Sequence, residues 1–151
     1  MAKKSKALQY YEAVGRRKEA MARVRLFIID KHKEATVSGM KVKAGEIFVN
    51  KKPISQVFPA IQEKNSYLLP LKLTQNENRF AVTILVEGGG RTGQLDAITH
   101  GLARAIEKVD KLAYRPILKK NNLLRRDARA KERRKVGTGG KARRKKQSPK
   151  R

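Results

Sequence analysis

The chain has 151 residues, 39% apolar and 34% charged, and 38 Lys and Arg against 13 Asp and Glu give it a net charge of +25. This length suits one domain with a modest core, and the charge indicates a polyanionic partner: nucleic acid, an acidic membrane surface or an acidic protein. The absence of cysteine excludes disulfides, thiolate nucleophiles and Cys-based zinc sites.

Neither membrane attachment nor catalysis is indicated by the sequence. The apolar runs are much shorter than the roughly 18 residues of a membrane span, and the basic N-terminus lacks the apolar stretch of a secretory signal. The two histidines, His32 and His100, are far apart in sequence, which is more typical of surface groups than of metal ligands or catalytic bases. We therefore predict a cytoplasmic protein that is not an enzyme and needs no metal, cofactor, membrane or small-molecule substrate.

The positive charge is concentrated towards the C-terminus. Residues 1–114 carry a net charge of +10, whereas residues 115–151 carry +15. From Ala128 onward the apolar residues are too few and too small to offset the backbone entropy of folding. The sequence predicts a globular body over residues 1–117 and an extended basic tail over residues 118–151. Within the tail, Asp127 to Lys135 has the composition of a short helix, which Gly137 would end.

The first predicted strand is Met21 to Ile29, where side chains alternate with the period of a strand that has one buried face. Short segments punctuated by glycine follow it. They are typical of a small meander or a pair of hairpins: Ala35 to Val37, Lys41 to Lys43 and Glu46 to Asn50.

The middle of the chain predicts two short helices and a second strand. The helices span Pro53 to Phe58 and Ala60 to Leu69, each ended by the proline that follows it, Pro59 or Pro70. The next segment, Phe80 to Val86, is almost continuously apolar. Such a run is typical of a central strand that is covered on both faces, or on one face and partly by loops on the other.

The clearest predicted helix runs from Gly93 to about Val109, with apolar residues at three- and four-residue spacing. A second stripe of small residues, Ala97, Gly101 and Ala105, lies four residues apart along it. Glycine costs about 1 kcal/mol in a helix interior. Its presence therefore predicts that another element approaches this stripe closely.

Glycines separate the second strand from this helix at Gly88, Gly89, Gly90 and Gly93. A nucleotide site is disfavoured, because the loop lacks the Lys and hydroxyl residue of a Walker motif and the spacing of a dinucleotide fingerprint. Two interpretations remain open. The glycines form a tight turn that lets the strand and helix pack, or their backbone N–H groups hold a polynucleotide phosphate with help from Arg91.

Two basic clusters border the predicted body. One is Arg16, Arg17 and Lys18, which by itself fits a solvated loop equally well; the other joins Lys119 and Lys120 to Arg125 and Arg126. A single polyanion that touched both clusters would explain why each borders the body. The tail beyond them fits a solubilising charge run, a localisation signal or an RNA-binding arm, and the density of its charge favours the arm.

Several blocks of the chain resemble the family of the ninth small-subunit ribosomal protein. They occur in the family order and cover most of the chain: Tyr10 to Lys18 leading to Ala22-Arg23-Val24, Gly88 to Gln94 continuing through Ala97, His100, Gly101, Ala103 and Arg104, Tyr114-Arg115-Pro116, Leu124 to Arg129 with Glu132-Arg133, and Lys141 to Arg144 through Arg151. Two segments depart from the pattern. Lys33 to Glu46 is longer than the usual bacterial turn and suggests an insertion, and the terminus at Gln147 to Arg151 lacks the common aromatic residue.

The resemblance implies an α+β fold in which a small sheet packs with helices, like the second domain of ribosomal protein S-five, with an unusual left-handed β-α-β crossover. It also implies a body in the head of the small subunit. The basic tail would then thread ribosomal RNA to the peptidyl site, where Lys150 and Arg151 would approach the tRNA anticodon stem-loop. The implied partners are small-subunit ribosomal RNA, peptidyl-site tRNA and neighbouring ribosomal proteins.

The cations expected to bind ribosomal RNA lie in the body, at the start of the tail and along it. They are Arg16, Arg17, Lys18, Arg91, Arg115, Lys119, Lys120, Arg125, Arg126, Arg129, Arg133, Arg134, Lys135, Lys141, Arg143, Arg144, Lys145 and Lys146. A nucleic-acid chaperone without a fixed partner would explain the charge and tail but not the family blocks. A small nucleotide-dependent enzyme is the other rival.

Overall fold

The computed structural model describes residues 9–29, 35–37 and 39–131, and it places seven strands and four helices in these ranges. In chain order they are β1 Tyr10–Arg17, β2 Ala20–Ile28, β3 Ala35–Val37, β4 Met40–Val42, β5 Ile47–Val49, β6 Lys52–Pro53, α1 Ile54–Val57, α2 Ile61–Leu73, β7 Phe80–Glu87, α3 Arg91–Val109 and α4 Lys111–Lys120. The α+β class predicted from the sequence is confirmed. No helix in the described ranges has the length and apolar character needed to cross a membrane.

The main sheet is mixed, with the strand order β1-β2-β7-β5-β6. β1 pairs with β2 and β2 with β7 in antiparallel fashion, whereas β5 and β7 are parallel. A parallel pair needs a crossover connection, which here runs through β6, α1 and α2. The apolar strand β7 is central, as its sequence predicted, because strands flank it on both sides.

The two faces of the sheet are covered differently. On one face Val24 and Leu26 of β2 and Ile84 of β7 are buried in a core shared with α2, α3 and α4. On the other face, the hairpin β3–β4 covers one end only, where Val37 and Val42 are buried with Phe27 of β2, Ala81 of β7 and Ile29, which follows β2. The segment predicted to be an insertion therefore builds a second, smaller core.

The predicted close approach to the α3 stripe is confirmed, and its partner is a glycine in β1. A Cβ placed on Gly101 would lie 3.1 Å from the backbone nitrogen of Gly15 and 2.8 Å from a methyl group of Val24. A Cβ placed on Gly15 would lie 2.0 Å from the carbonyl oxygen of Ala97. The helix therefore packs backbone to backbone against β1.

Two predictions about local structure were wrong. Pro70 does not end α2, which continues to Leu73. Proline has no N–H with which to bond the carbonyl four residues earlier, that of Ser66. The Thr99 hydroxyl of α3 lies 3.3 Å from this carbonyl, but its single proton has a closer acceptor in the Leu95 carbonyl at 3.0 Å. Ser66 is exposed, so solvent can satisfy its carbonyl in place of the helical bond. The short helix predicted from Asp127 is also absent over residues 127–131, which are irregular, and residues 132–135 lie outside the described residues.

Two further elements were not expected from the sequence. The segment Tyr10–Arg17, interpreted in part as a loop, is a full strand paired with β2 along eight residues. Helix α4 begins at Lys111 and is capped by Asp110, whose carboxylate accepts a hydrogen bond of 3.0 Å from the Ala113 N–H. It runs through the boundary proposed at residue 117, and Leu118 beyond that boundary is fully buried.

Candidate nucleic-acid interface

The glycine turn before α3 is built for close packing against the β1–β2 turn. Gly88 and Gly89 have positive φ values of 69° and 62°, a region that favours glycine. A Cβ on Gly88 would lie 2.5 Å from the carbonyl oxygen of Glu19, and one on Gly89 would lie 2.9 Å from Ala20. The Gln94 side chain closes the turn by donating a bond of 3.1 Å to the Gly88 carbonyl. Packing alone accounts for these two glycines.

Arg91, the cation of this turn, is held by a carboxylate. Its Nε and Nη2 donate to the two oxygens of Glu63 at 2.7 and 2.8 Å, and its guanidinium lies 5.7 Å from the ring centre of Phe58. These hydrogen bonds lower the pKa of Glu63 and raise the pKa of Arg91. Because Glu63 also accepts from the Ala60 N–H at the start of α2, the pair joins the first turns of α2 and α3.

The three cations predicted before β2, which are Arg16, Arg17 and Lys18, lie in two different environments. Arg16 and Lys18 are exposed, whereas the Arg17 side chain is only 14% exposed. Side chains alternate between the faces of a strand, so Arg17 lies on the face that packs against α3. Its Nε lies 3.3 Å from the carboxylate of Asp96 on α3, and its Nη1 lies 3.0 Å from the carboxylate of Asp127.

Arg17 also binds the backbone of the segment after α4, residues 121–131, which we call the tail root. Its Nη1 donates to the carbonyl oxygens of Asp127 and Arg129 at 3.3 and 2.9 Å. The Asp127 carboxylate accepts from the Arg129 backbone N–H at 3.0 Å and from its guanidinium at 2.7 Å. These bonds hold the pKa of Asp127 well below its usual range and raise the pKa of Arg129. We call Arg17, Asp96, Asp127 and Arg129 the clasp.

His100 on α3 lies beside the clasp, in the same groove as Asn122 and Leu123 of the tail root. Its Nδ1 accepts a hydrogen bond of 3.3 Å from the Arg16 backbone N–H. Burial lowers the pKa of His100, and the charges of Arg104 and Arg126 lower it further, against the opposing effect of the Leu124 backbone. The imidazole therefore ties α3 to β1 next to the tail root.

Cations from the two basic clusters bordering the body meet in one groove. The groove has a volume of about 340 Å³, and Arg16 and Arg17 from β1 line it together with Arg125 and Asp127 from the tail root. The proximity suggested by the sequence is therefore present for one member of the second cluster, Arg125, and not for the whole cluster. The arrangement suits a polyanion, since the carboxylates of Asp96 and Asp127 neutralise Arg17 while the exposed Arg16 and Arg125 stay accessible to phosphate.

Other predicted cations are dispersed or lie outside the described residues. Lys119 and Lys120 are exposed at the end of α4, and Arg115 is paired with Glu107 of α3. The remaining predicted contacts lie beyond the part of the chain that the structure describes: Arg133, Arg134, Lys135, Lys141, Arg143, Arg144, Lys145, Lys146, Lys150 and Arg151.

Sequence reasoning missed the acidic half of the clasp and the role of His100. A signal for one member was present, since Asp127 is a lone carboxylate within a run of arginines, and such a residue often has a specific partner. Asp96 and His100 carried no comparable signal, because their position next to β1 depends on how α3 crosses the sheet.

Comparison with known proteins places this chain in a family. The family model described as "Ribosomal protein S9/S16" matches residues 15–151. The "Small ribosomal subunit protein uS9" of two Dehalococcoides mccartyi strains is 45% identical over 128 residues, which cover 85% of this chain and 86% of each relative. The protein of the same name from Maridesulfovibrio salexigens is 42% identical, with 85% and 87% covered.

The structure thus shows an α+β protein with a basic surface beside the tail root, and the relatives that it resembles are ribosomal proteins. The chain belongs to the ribosomal protein S9 family. The family resemblance predicted from the sequence blocks is confirmed.

Proposed function

We propose that the chain is a structural, non-enzymatic component of the small ribosomal subunit that binds ribosomal RNA through its body and its basic tail. The supporting observation is the groove in which Arg16 of β1 and Arg125 of the tail root lie side by side. Neighbouring ribosomal proteins of the subunit head would be further partners, and the protein would function in the cytoplasm as part of the ribosome.

The clasp explains how such a protein starts its tail in a defined direction. A basic arm that left the body freely would lose conformational entropy on every RNA contact. Arg17 holds the backbone of Asp127 and Arg129 against the body, so part of that entropy is already lost before RNA binds. We propose that Arg17, Arg91 and Arg129 contribute mainly by positioning, while Arg16, Lys18, Arg115, Lys119, Lys120, Arg125 and Arg126 contact phosphate directly.

The finer features implied by the family belong to the same proposal. We assign residues 1–117 to the body and 118–151 to the tail, with the tail root attached to the body, and a left-handed β-α-β crossover to the fold. The tail cations from Arg133 to Lys146 would follow ribosomal RNA. Lys150 and Arg151 would contact the anticodon stem-loop of peptidyl-site tRNA, with the Arg151 guanidinium able to bind phosphate through two donors.

The salt dependence of RNA binding tests the groove. Each phosphate contact adds about 0.7 to 0.9 to the slope of log affinity against log salt. Arg125→Gln with Arg126→Gln removes two tail-root contacts. For binding to a small-subunit RNA fragment, the slope of log affinity against log salt should then become shallower by up to about 1.4 to 1.8. The control, Lys72→Gln with Lys111→Gln, removes the same charge from exposed positions on α2 and α4. Equal slopes for the two variants would argue against a specific groove.

A shortened protein tests the tRNA contact. Deleting Lys150 and Arg151 should leave subunit assembly almost intact, because the body and the upstream tail keep their contacts, and should speed tRNA dissociation from the peptidyl site. Filter binding of tRNA to subunits rebuilt with the shortened protein measures this. Unchanged dissociation over a range of salt and magnesium would remove these two residues from the tRNA site.

A further inference from the structure

The sheet face opposite the helices contains a pocket to which the tail root does not contribute. The pocket has a volume of about 240 Å³ and lies between the hairpin β3–β4 and the β5–β6 turn. Met40, Phe48 and Leu85 line it with apolar surface, and Leu85 is 49% exposed. An exposed leucine in a central strand marks apolar surface that the fold leaves uncovered.

Cations border this apolar surface. Arg23 and Arg25 project from β2 and Lys51 from the β5–β6 turn. The nearby carboxylate of Glu12 lies 2.7 Å from Arg25 but 3.8 Å from Arg23, and the Arg23 side chain is 47% exposed. One carboxylate among three cations leaves the pocket positively charged, with Arg23 and Lys51 at its exposed edge.

Lys51 is held at this edge by a tight hairpin turn. Asn50 and Lys51 are the two residues between the paired strands β5 and β6, and their φ values are 48° and 67°. Positive φ at both positions is the favoured geometry of a two-residue hairpin; Asn adopts it readily, whereas Lys adopts it with some strain. The Asn50 side chain fixes the turn, since it accepts from the Val86 N–H and donates to the Val86 carbonyl, both at 3.0 Å. The turn therefore places Lys51 in a defined position beside the pocket.

One aromatic ring, that of Tyr10, extends the surface next to the cations. The Arg25 guanidinium lies 5.2 Å from the centre of this ring, which is about half exposed. The buried ring of Phe27 lies 5.6 Å from it and supports it from the core side. Aromatic rings and guanidinium planes are the surfaces on which proteins stack unpaired RNA bases.

We propose that this pocket binds one nucleotide of single-stranded RNA, with the base against Phe48 and Leu85 and the flanking phosphates on Arg23 and Lys51. This inference rests on the proposed RNA-binding function and adds a site on the body, remote from the tail. An acidic peptide would satisfy the cations but would leave the apolar surface exposed. A nucleotide combines an anionic group with a flat apolar base, and it matches both halves of the pocket.

Photocrosslinking of the full-length protein to thiouridine-substituted oligouridylate tests the proposal, with crosslinked residues located by mass spectrometry. The wild-type protein should give crosslinks at Met40, Phe48 or Leu85. Arg23→Gln with Lys51→Gln should reduce their yield by at least about tenfold, because it removes two charged contacts and each contributes about tenfold or more in affinity. The control, Lys72→Gln with Lys111→Gln, should leave that yield within about twofold, because screened surface charges act weakly at a distance.

A neutral substitution and a competitor separate the alternatives. Leu85→Ser removes apolar surface without changing charge and should lower the pocket crosslinks severalfold while crosslinks to residues 119–151 persist. Polyglutamate that displaces the RNA from the pocket as well as unlabelled oligouridylate does would overturn the proposal in favour of an acidic peptide. Crosslinks confined to the tail and the tail-root groove would also overturn it but leave the proposed function intact, whereas no crosslinks anywhere would overturn both.

Discussion

Replacing Gly15 with alanine tests the backbone contact on which the whole arrangement depends. The new Cβ would lie 2.0, 2.4 and 2.8 Å from backbone atoms of Ala97 and Gly101. No side-chain rotation relieves contacts with backbone, so restoring an ordinary separation requires α3 to move away from β1 by about 1.4 Å at the closest point. Overpacking of a well-packed core typically costs 1 to 3 kcal/mol. The backbone clash places Gly15→Ala at or above the upper limit, about 3 kcal/mol.

Urea unfolding of the full-length protein, followed by circular dichroism, measures this loss. The control is Gly90→Ala in the glycine turn, where a Cβ would meet no atom within 4 Å; the free energy of unfolding should fall by no more than about 1 kcal/mol, because alanine replaces glycine at the N-cap of α3. Gly101→Ala should fall between the two, because its closest contact is a methyl group of Val24 and alanine favours the helix by about 1 kcal/mol. A Gly15→Ala protein as stable as the Gly90→Ala protein would refute the close packing of β1 on α3.

Three other predictions follow from the clasp, the buried imidazole and the strained turn. Arg17→Gln should release the tail root, so trypsin should cleave after Arg125 and Arg126 several times faster than in the Arg16→Gln control; equal rates would contradict the clasp. Because the folded state lowers the pKa of His100, the unfolded state binds a proton first, and the free energy of unfolding should decline as pH falls below about 6.5. That decline should be smaller in His100→Gln, and an unchanged pH profile would remove His100 as its cause. Lys51→Gly relieves the left-handed strain and should raise the free energy of unfolding by up to about 1 kcal/mol, whereas a loss of stability would show that no strain is stored there.

Side-chain periodicity predicted the strands and helices that bury one regular face along their length. The strand β2 and the helix α3 each bury one regular face, so the alternation of β2 and the three- and four-residue spacing of α3 are visible without knowledge of their partners. The central position of β7 was visible because most of its length is apolar. Gly101 also predicted a close neighbour, since only such a contact offsets the cost of glycine in a helix.

Elements that depend on distant partners were decided only by tertiary structure. β1 contains charged residues and a glycine, and it is a strand because β2 pairs with it and α3 packs on Gly15. Pro70 stays within α2 because it lies on the buried face of that helix with Tyr67 and Leu71, and the packing of this face offsets the missing hydrogen bond. In the candidate site, the sequence predicted a basic surface but not its division of roles. Arg16 and Arg17 are chemically identical neighbours, and only the direction in which each projects from β1 makes one an accessible cation and the other the centre of the clasp.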